Sequence, residues 1–198
     1  MLATMGMALL LITGIAIADT ITCFVNRACV GTDGPDILQG TSHGDWIQAR
    51  QGSDELYGHE GYDVLDGDDF EASDTSTDGN DHIGAGRSSD ELYGYGGSDT
   101  LLGRSGSDFL FAEESSKNKG VDVVRGHQGN DFILARDGIK DTIACGTGQR
   151  DTVSFDNGGI DTVADNCERK RGGVYSAAAS SGTTEEVSAN ELDALRAR

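Results

Sequence analysis

The chain has 198 residues with 34 acidic against 15 basic ones, a formal charge of −19, and carries 29 glycines but a single proline. So negative a chain repels phosphate backbones, which argues against a nucleic-acid partner. With 6% aromatic residues and this much glycine it also lacks the bulk for a conventional core of packed helices, and it has neither the glycine period nor the proline of collagen. What remains is disorder, favoured by charge and glycine, or a fold that uses glycine and acid as building parts. The acid is 24 Asp to 10 Glu; the short reach of aspartate suits loop sites beside backbone carbonyls, a first pointer to cations.

Residues 2–18 (LATMGMALLLITGIAIA) form the only long apolar run, 17 residues where a membrane span wants about 20. It ends in Ala16-Ile17-Ala18, a small-x-small cleavage signal ahead of Asp19-Thr20. The pattern predicts a secretory signal peptide over 1–18, although no Lys or Arg precedes it, and so a secreted, extracellular mature chain without a membrane span. Residues 19–30 then form an N-terminal cap. The four cysteines, Cys23, Cys29, Cys145 and Cys167, all lie beyond residue 18, and an even count in an exported chain favours disulfides. Three pairings are open; Cys23–Cys29 with Cys145–Cys167 is preferred because each pair flanks one end of the region described next. No CxxC or HxxxH spacing suggests zinc.

From residue 31 the chain repeats. Aspartates fall at 36, 45, 54 and 63, resume in phase at 81, 90, 99 and 108, and continue at 122, 131, 141, 151 and 161 with a step relaxing from nine to ten. Two residues after each stands an aliphatic residue: Leu38, Ile47, Leu56, Leu65, Ile83, Leu92, Leu101, Leu110, Val124, Ile133, Ile143, Val153 and Val163. Gly-x-x-Gly-x-Asp reads as a turn, since glycine accepts positive φ and close backbone approach. The triplet that follows, such as Thr100-Leu101-Leu102, reads as a short strand with its central aliphatic pointing inward. One such residue cannot bury itself alone. Stacked turns of two nine-residue units each build a narrow aliphatic core.

This register stacks loops 18 residues apart. It sets Asp36 on Asp54, Asp45 on Asp63, Asp63 on Asp81, Asp81 on Asp99 and Asp90 on Asp108. Two carboxylates about 4 Å apart repel by roughly 4 kcal/mol at an effective dielectric of 20, so a fold that repeats this pairing calls for a cation between layers. Hard oxygen ligands, carboxylate plus loop carbonyl, select Ca²⁺.

Units such as Gly94-Tyr95-Gly96-Gly97-Ser98-Asp99-Thr100-Leu101-Leu102 and Gly126-His127-Gln128-Gly129-Asn130-Asp131-Phe132-Ile133-Leu134 resemble the RTX (repeats-in-toxin, haemolysin-type) calcium-binding nonapeptide, GGxGxDxUx with U aliphatic. The resemblance spans about residues 31–165. It implies an all-β, parallel β-roll, a right-handed β-solenoid, over 31–167, with several Ca²⁺ ions held between successive loops. On the matching positions the side-chain ligands are Asp36, Asp45, Asp54, Asp63, Asp81, Asp90, Asp99, Asp108 and Asp131, with carbonyl oxygens completing each site. Departures occur. Unit 67–75 has Phe70 for the loop glycine, Ala72 for the aspartate and Asp74 for the inward aliphatic, which predicts a bulge and no sites pairing position 72 with Asp54 and Asp90. His43 and Ser88 stand at glycine positions, Glu113–Lys119 reads as an inserted surface loop, and the ten-residue units over 137–165 continue the coil with their metal sites open.

Other chemistry finds little footing. No HExxH, Gly-x-Ser-x-Gly or phosphate-binding loop occurs, and acids paired in every layer read as ligands rather than a glycosidase pair, so the chain is read as non-enzymatic. His43, His59, His82 and His127 read as solvated loop positions. Trp46, Tyr57, Tyr93 and Tyr95 either stack on sugars or pack against neighbouring strands. Residues 168–198 read as a flexible tail with a short amphipathic helix over Ala189–Arg198. The function expected is an exported protein that folds on binding calcium. The alternatives are a calcium-stabilised module or fragment of a secreted enzyme or toxin, and an adhesive surface protein with a cell-surface or glycan partner.

Overall fold

The computed structural model describes residues 18–25, 27–68, 78–112 and 119–173. The signal peptide, the substituted positions Phe70, Ala72 and Asp74, most of the 113–119 insertion and residues 174–198 lie outside the described residues. Those described form strands only, with no helix and thus none able to cross a membrane. In chain order the strands begin with β1 (Asp19–Thr22), β2 (Cys29–Val30), β3 (Asp36–Gln39), β4 (Trp46–Gln48), β5 (Glu55–Glu60), β6 (Val64–Asp66), β7 (His82–Arg87) and β8 (Glu91–Tyr93). They continue with β9 (Thr100–Ser105), β10 (Phe109–Phe111), β11 (Val123–Gln128), β12 (Phe132–Ala135), β13 (Thr142–Thr147), β14 (Thr152–Asp156), β15 (Thr162–Val163) and β16 (Arg169–Gly173).

Odd strands form one eight-stranded sheet and even strands another, each in chain order. Every pairing is parallel. The chain therefore winds as a parallel β-solenoid of about seven turns, each turn giving one strand to each sheet. Parallel sheets need both faces considered. Here the inner faces meet as two aliphatic columns, Leu38-Leu56-Ile83-Leu101-Val124-Ile143 and Ile47-Leu65-Leu92-Leu110-Ile133-Val153, in register across the strands. All are essentially inaccessible, and Val163 packs partly buried against them. The inward aliphatics expected from the sequence thus form the core.

The sheets join at two corners. The corner leading from the even to the odd sheet contains loops 31–36, 49–54, 67–81, 94–99, 112–122 and 135–141. The opposite corner contains loops 40–45, 58–63, 85–90, 103–108, 126–131 and 145–151. One expected register is corrected here. Asp63 does not stack on Asp81; it stacks on Asp90, and Asp81 stacks on Asp54, both 27 residues apart. Among the described residues β6 is followed by β7, and the ladder resumes at Asp81, so the count slips by one unit of nine. Asp81 takes the place opposite Asp54, and Asp63 the place opposite Asp90; position 72 lies outside the described residues.

The ends are closed covalently. Cys23–Cys29, with Cα atoms 5.2 Å apart, closes the first corner after β1, and Cys145–Cys167, 5.1 Å apart, joins consecutive turns near the other end. All four sulfurs belong to buried residues of the core. The roll also runs beyond residue 167, because β16 adds to β14 through the backbone register Thr152↔Arg169 to Asp156↔Gly173. Its side chains need no core, and its exposed Arg169, Lys170 and Arg171 suit a sheet edge that must not recruit another strand. Serine at both Cys145 and Cys167 should lower the unfolding free energy by about 3 kcal/mol through loss of a 22-residue closure, read by urea denaturation at fixed calcium.

Candidate metal centre

At each corner the aspartates form a ladder. In one, the backbone N–H of Asp36 donates to Oδ1 of Asp54 (2.7 Å), Asp54 to Asp81 (2.9 Å), Asp81 to Asp99 (2.8 Å), Asp99 to Asp122 (2.7 Å), Asp122 to Asp141 (2.9 Å) and Asp141 to Asp161 (2.9 Å). In the other, Asp45 donates to Asp63 (2.9 Å), Asp63 to Asp90 (2.9 Å), Asp90 to Asp108 (3.0 Å), Asp108 to Asp131 (3.0 Å), Asp131 to Asp151 (2.8 Å) and Asp151 to Oε2 of Glu168 (2.8 Å). One carboxylate oxygen per turn is thus spent on holding the next layer.

The second oxygen decides what the corners can do. Oδ2 of Asp54, Asp63, Asp81, Asp90, Asp99, Asp108 and Asp131, seven of the nine expected ligands, is buried without a hydrogen-bond partner. So orphaned an anionic oxygen is costly unless a counter-charge meets it. At several layers a carbonyl of the next turn lies close to it. A methyl on Gly58 would strike Oδ2 of Asp63 and lie 2.5 Å from the carbonyl oxygen of Ala85 in the next turn. On Gly103 it would lie 2.5 Å from Oδ2 of Asp108 and 2.9 Å from the carbonyl of Gly126. Carboxylate and carbonyl oxygens converge over a residue with no side chain, a donor set that fits Ca²⁺. Among the described residues no three His, Cys, Asp or Glu side chains form a cage of their own, so any cation here draws on those carbonyls.

The remaining two expected ligands differ. Oδ2 of Asp36 accepts from the N–H and hydroxyl of Thr32 (2.6 and 2.9 Å), and that of Asp45 from Thr41 (2.6 and 3.0 Å). The first turn thus has one oxygen of each carboxylate capped by its own threonine, while Oδ1 of Asp36 is buried without a hydrogen-bond partner. Toward the other end, Asp141 and Asp151 carry the same orphaned Oδ2 as the regular units. Their in-phase position was the available signal; longer, basic loops obscured it. Between loops 112–122 and 135–141 the chain supplies a cation itself: Nζ of Lys119 donates to the carbonyl of Asp137 at 2.5 Å and lies 3.9 Å from its carboxylate.

Burial raises the proton affinity of these acids. Asp54 and Asp90 are pushed up to about 7 and Asp63 and Asp131 to about 6, with neighbouring carboxylates adding to burial and the ladder N–H opposing it. Asp81 and Asp108 reach about 8 for the same reasons, and Asp99, where the Asp81 charge ranks next after burial, about 10. Of the histidines, His59 meets Oε1 of Gln39 at 3.0 Å and His43 lies exposed. Trp46, Tyr93 and Tyr95 stand at the even sheet, Trp46 and Tyr95 sharing the Asp66 carboxylate, while Tyr57 lies on the odd sheet.

Comparison with family models gives a match to the RTX calcium-binding nonapeptide repeat in four copies over residues 30–65, 75–110 and 118–139. The chain carries RTX calcium-binding repeats. The match skips residues 66–74, where the register slips, and 111–117, where the second long loop lies. No curated protein and no solved structure matched. Repeat and fold together mark a calcium-binding repeat protein.

Two outcomes follow from the RTX corners. Folded carboxyls held above the ordinary value of 3.8 bind protons better than unfolded ones, so their stabilisation is full below that pH and fades as pH rises through about 6 to 8. The metal-stripped chain should therefore recover more β structure by circular dichroism at pH 5 than at pH 8, and calcium, which needs ionised carboxylates, should bind more tightly as pH rises. Asp108→Asn removes one orphaned charge and should raise the calcium midpoint of folding by on the order of tenfold, measured by circular dichroism.

Proposed function

We propose that the chain is an exported calcium-binding protein whose roll folds when several Ca²⁺ ions enter between successive loops. The observation that carries this reading is the run of buried, partnerless Oδ2 atoms at both corners, with carbonyls of the adjoining turn close beside those of Asp63, Asp81, Asp108 and Asp131. On this reading Asp54, Asp63, Asp81, Asp90, Asp99, Asp108 and Asp131 are the principal side-chain ligands, with Asp36 and Asp45 the members already served by threonine. Without metal, stacked carboxylates repel and a glycine-rich chain loses much entropy on ordering. With metal, binding free energy becomes folding free energy. Millimolar extracellular calcium suits sites of the weaker, extracellular class.

Export is supported by the apolar 2–18 run with its Ala-x-Ala end and by two disulfides in a chain with no free cysteine. The proposed organisation is a signal peptide over 1–18, a disulfide-closed cap over 19–30, the roll from 31 and a tail at the C-terminal end. A structural rather than catalytic role follows from side chains engaged in register and ion binding. A second reading, a surface module gripping glycans, is favoured by one observation: Trp46, 56% exposed, and Tyr95 both donate to Asp66 on one sheet face.

Circular dichroism of the mature chain should show β structure appear with millimolar Ca²⁺ and vanish on chelation, with calorimetry giving several ions per chain. Unchanged strand content and no bound Ca²⁺ would refute the proposal.

A further inference from the structure

The outer face of the odd sheet differs in charge from the rest of the chain. Strands β7, β9, β11 and β13 contain no Asp or Glu, although the molecule carries 34 acids. They carry Arg87, Arg104 and Arg125 instead. Three of the four histidines, His59, His82 and His127, stand on β5, β7 and β11 of the same sheet.

The strand register opens a groove on this face. One row across the sheet runs Tyr57, Gly84, Leu102, Arg125, and another runs His59, Gly86, Arg104, His127. In both rows β7 supplies a glycine, so side chains rise from β5 and β9 with none between them. Gly86 must stay bare: its φ is +124°, and a Cβ there would strike the carbonyl of His59. The groove holds about 500 Å³, with Tyr57 and His59 on one wall, Arg104 on the other and Arg87 beyond Gly86. Arg104 leans into it. A Cβ on Gly84 would lie 3.3 Å from its Nε and 3.5 Å from its Nη2, so the guanidinium lies over β7 and not over its own strand. Its charge reaches both Tyr57 and His127.

Among the described residues no carboxylate pairs with Arg104 or Arg125. The two acids at the rim are engaged elsewhere: Glu55 accepts the Tyr57 hydroxyl at 2.7 Å, and Glu60 pairs with Arg87 at 3.1 Å. A guanidinium held over a groove without a carboxylate of its own, in so acidic a chain, calls for an external anion.

We propose that this groove binds an acidic sugar of an anionic polysaccharide, its carboxylate or sulfate on Arg104 and its ring beside Tyr57. The planar fork of arginine meets such oxyanions through paired hydrogen bonds. The strands flanking β7 stand about 9.5 Å apart at the usual sheet spacing, which admits a sugar ring and is too narrow for a helix. The half-buried Tyr57 offers that ring an apolar flank. Arg125 and His127 continue the positive face where the next sugars would lie. Nucleic acid would need a longer file of cations, and Glu55 and Glu60 end this one at β5. No corner aspartate lines the groove, and Trp46 lies on the other sheet. The inference therefore goes beyond the calcium reading and does not depend on it.

The test is fluorescence anisotropy with labelled oligogalacturonate, sulfated dextran and plain dextran, at saturating calcium and physiological salt. At least one acidic oligomer should bind and plain dextran should not, and the one that binds tells carboxylate from sulfate. Arg104→Gln should weaken binding by on the order of tenfold or more, the loss expected for a charged hydrogen-bonded contact. Gly84→Val, which fills the groove against the movable end of Arg104, should do the same. Lys140→Gln removes the same charge at the other corner and should leave the affinity unchanged. Circular dichroism should show the parent fold in each variant; should Gly84→Val not fold, Arg104→Gln decides. No binding of either acidic oligomer overturns the proposal. So does binding unchanged in Arg104→Gln, which would mean that calcium bridges two polyanions, or equal binding of single-stranded DNA. A chain that binds the oligomers but no calcium fails the calcium reading alone.

Discussion

The backbone amide of each corner aspartate is held by the carboxylate one turn further on. That bond uses one oxygen of every carboxylate and leaves the other buried, because strands stacked at the roughly 4.8 Å sheet spacing leave no room for water between consecutive corners. The orphaned oxygens of Asp54 through Asp131 are thus a direct consequence of how the turns are kept in register. Protonation, a threonine, a lysine or a metal can answer them. Thr32 and Thr41 answer one oxygen each of Asp36 and Asp45 at the first turn, Lys119 meets Asp137 outside the ladders, and beside Asp63, Asp81, Asp108 and Asp131 the next turn offers carbonyls. Calcium chemistry is what those middle layers are shaped for.

The same stacking sets the demands on the loops. Carbonyls of the next turn approach Gly58 and Gly126 so closely that a methyl would lie 2.5 Å from them. At five second loop places a residue with a Cβ is left-handed: Arg50, His59, Tyr95, Arg104 and His127 all have φ between 63° and 80°, at about 1–2 kcal/mol each. A core one aliphatic wide must outweigh that cost. Each fully buried Leu or Ile contributes about 1.5–3 kcal/mol, against ordering about nine residues at 1–2 kcal/mol each. The aliphatic columns alone cannot hold the coil, which is why its ends are bonded covalently and its corners call for ions.

Legibility in the sequence followed the physics of period. Leu38 through Val153 announced themselves because an inward place recurs every nine residues and tolerates only aliphatics. The nine expected ligands fell on the two ladders for the same reason. The sequence could not reveal that Thr32 and Thr41 would turn back onto Asp36 and Asp45, since such contacts depend on local loop geometry. It also misplaced Asp63 against Asp81. Counting in eighteens assumes that no unit is skipped, and from Asp63 to Asp90 the ladder steps by 27.

Both long loops sit at the same corner, while the opposite corner keeps six-residue loops from 40–45 through 126–131. Re-entry after each is made by three residues: Gly79-Asn80-Asp81, bridged at Asp78 to Gly52, and Gly120-Val121-Asp122, bridged at Lys119 to Gly97. An inward Ile83 or Val124 follows directly. Register therefore resides in the second half of the nonapeptide, Gly-x-Asp-x-aliphatic. The first half varies at that corner. Lys119, from the second such loop, meets Asp137, yet Oδ2 of Asp141 in the same corner stays buried without a hydrogen-bond partner. The ladder of that corner therefore runs past both insertions as unbroken as the one opposite, because it needs only the aspartate that ends each loop, through its carboxylate and its own amide.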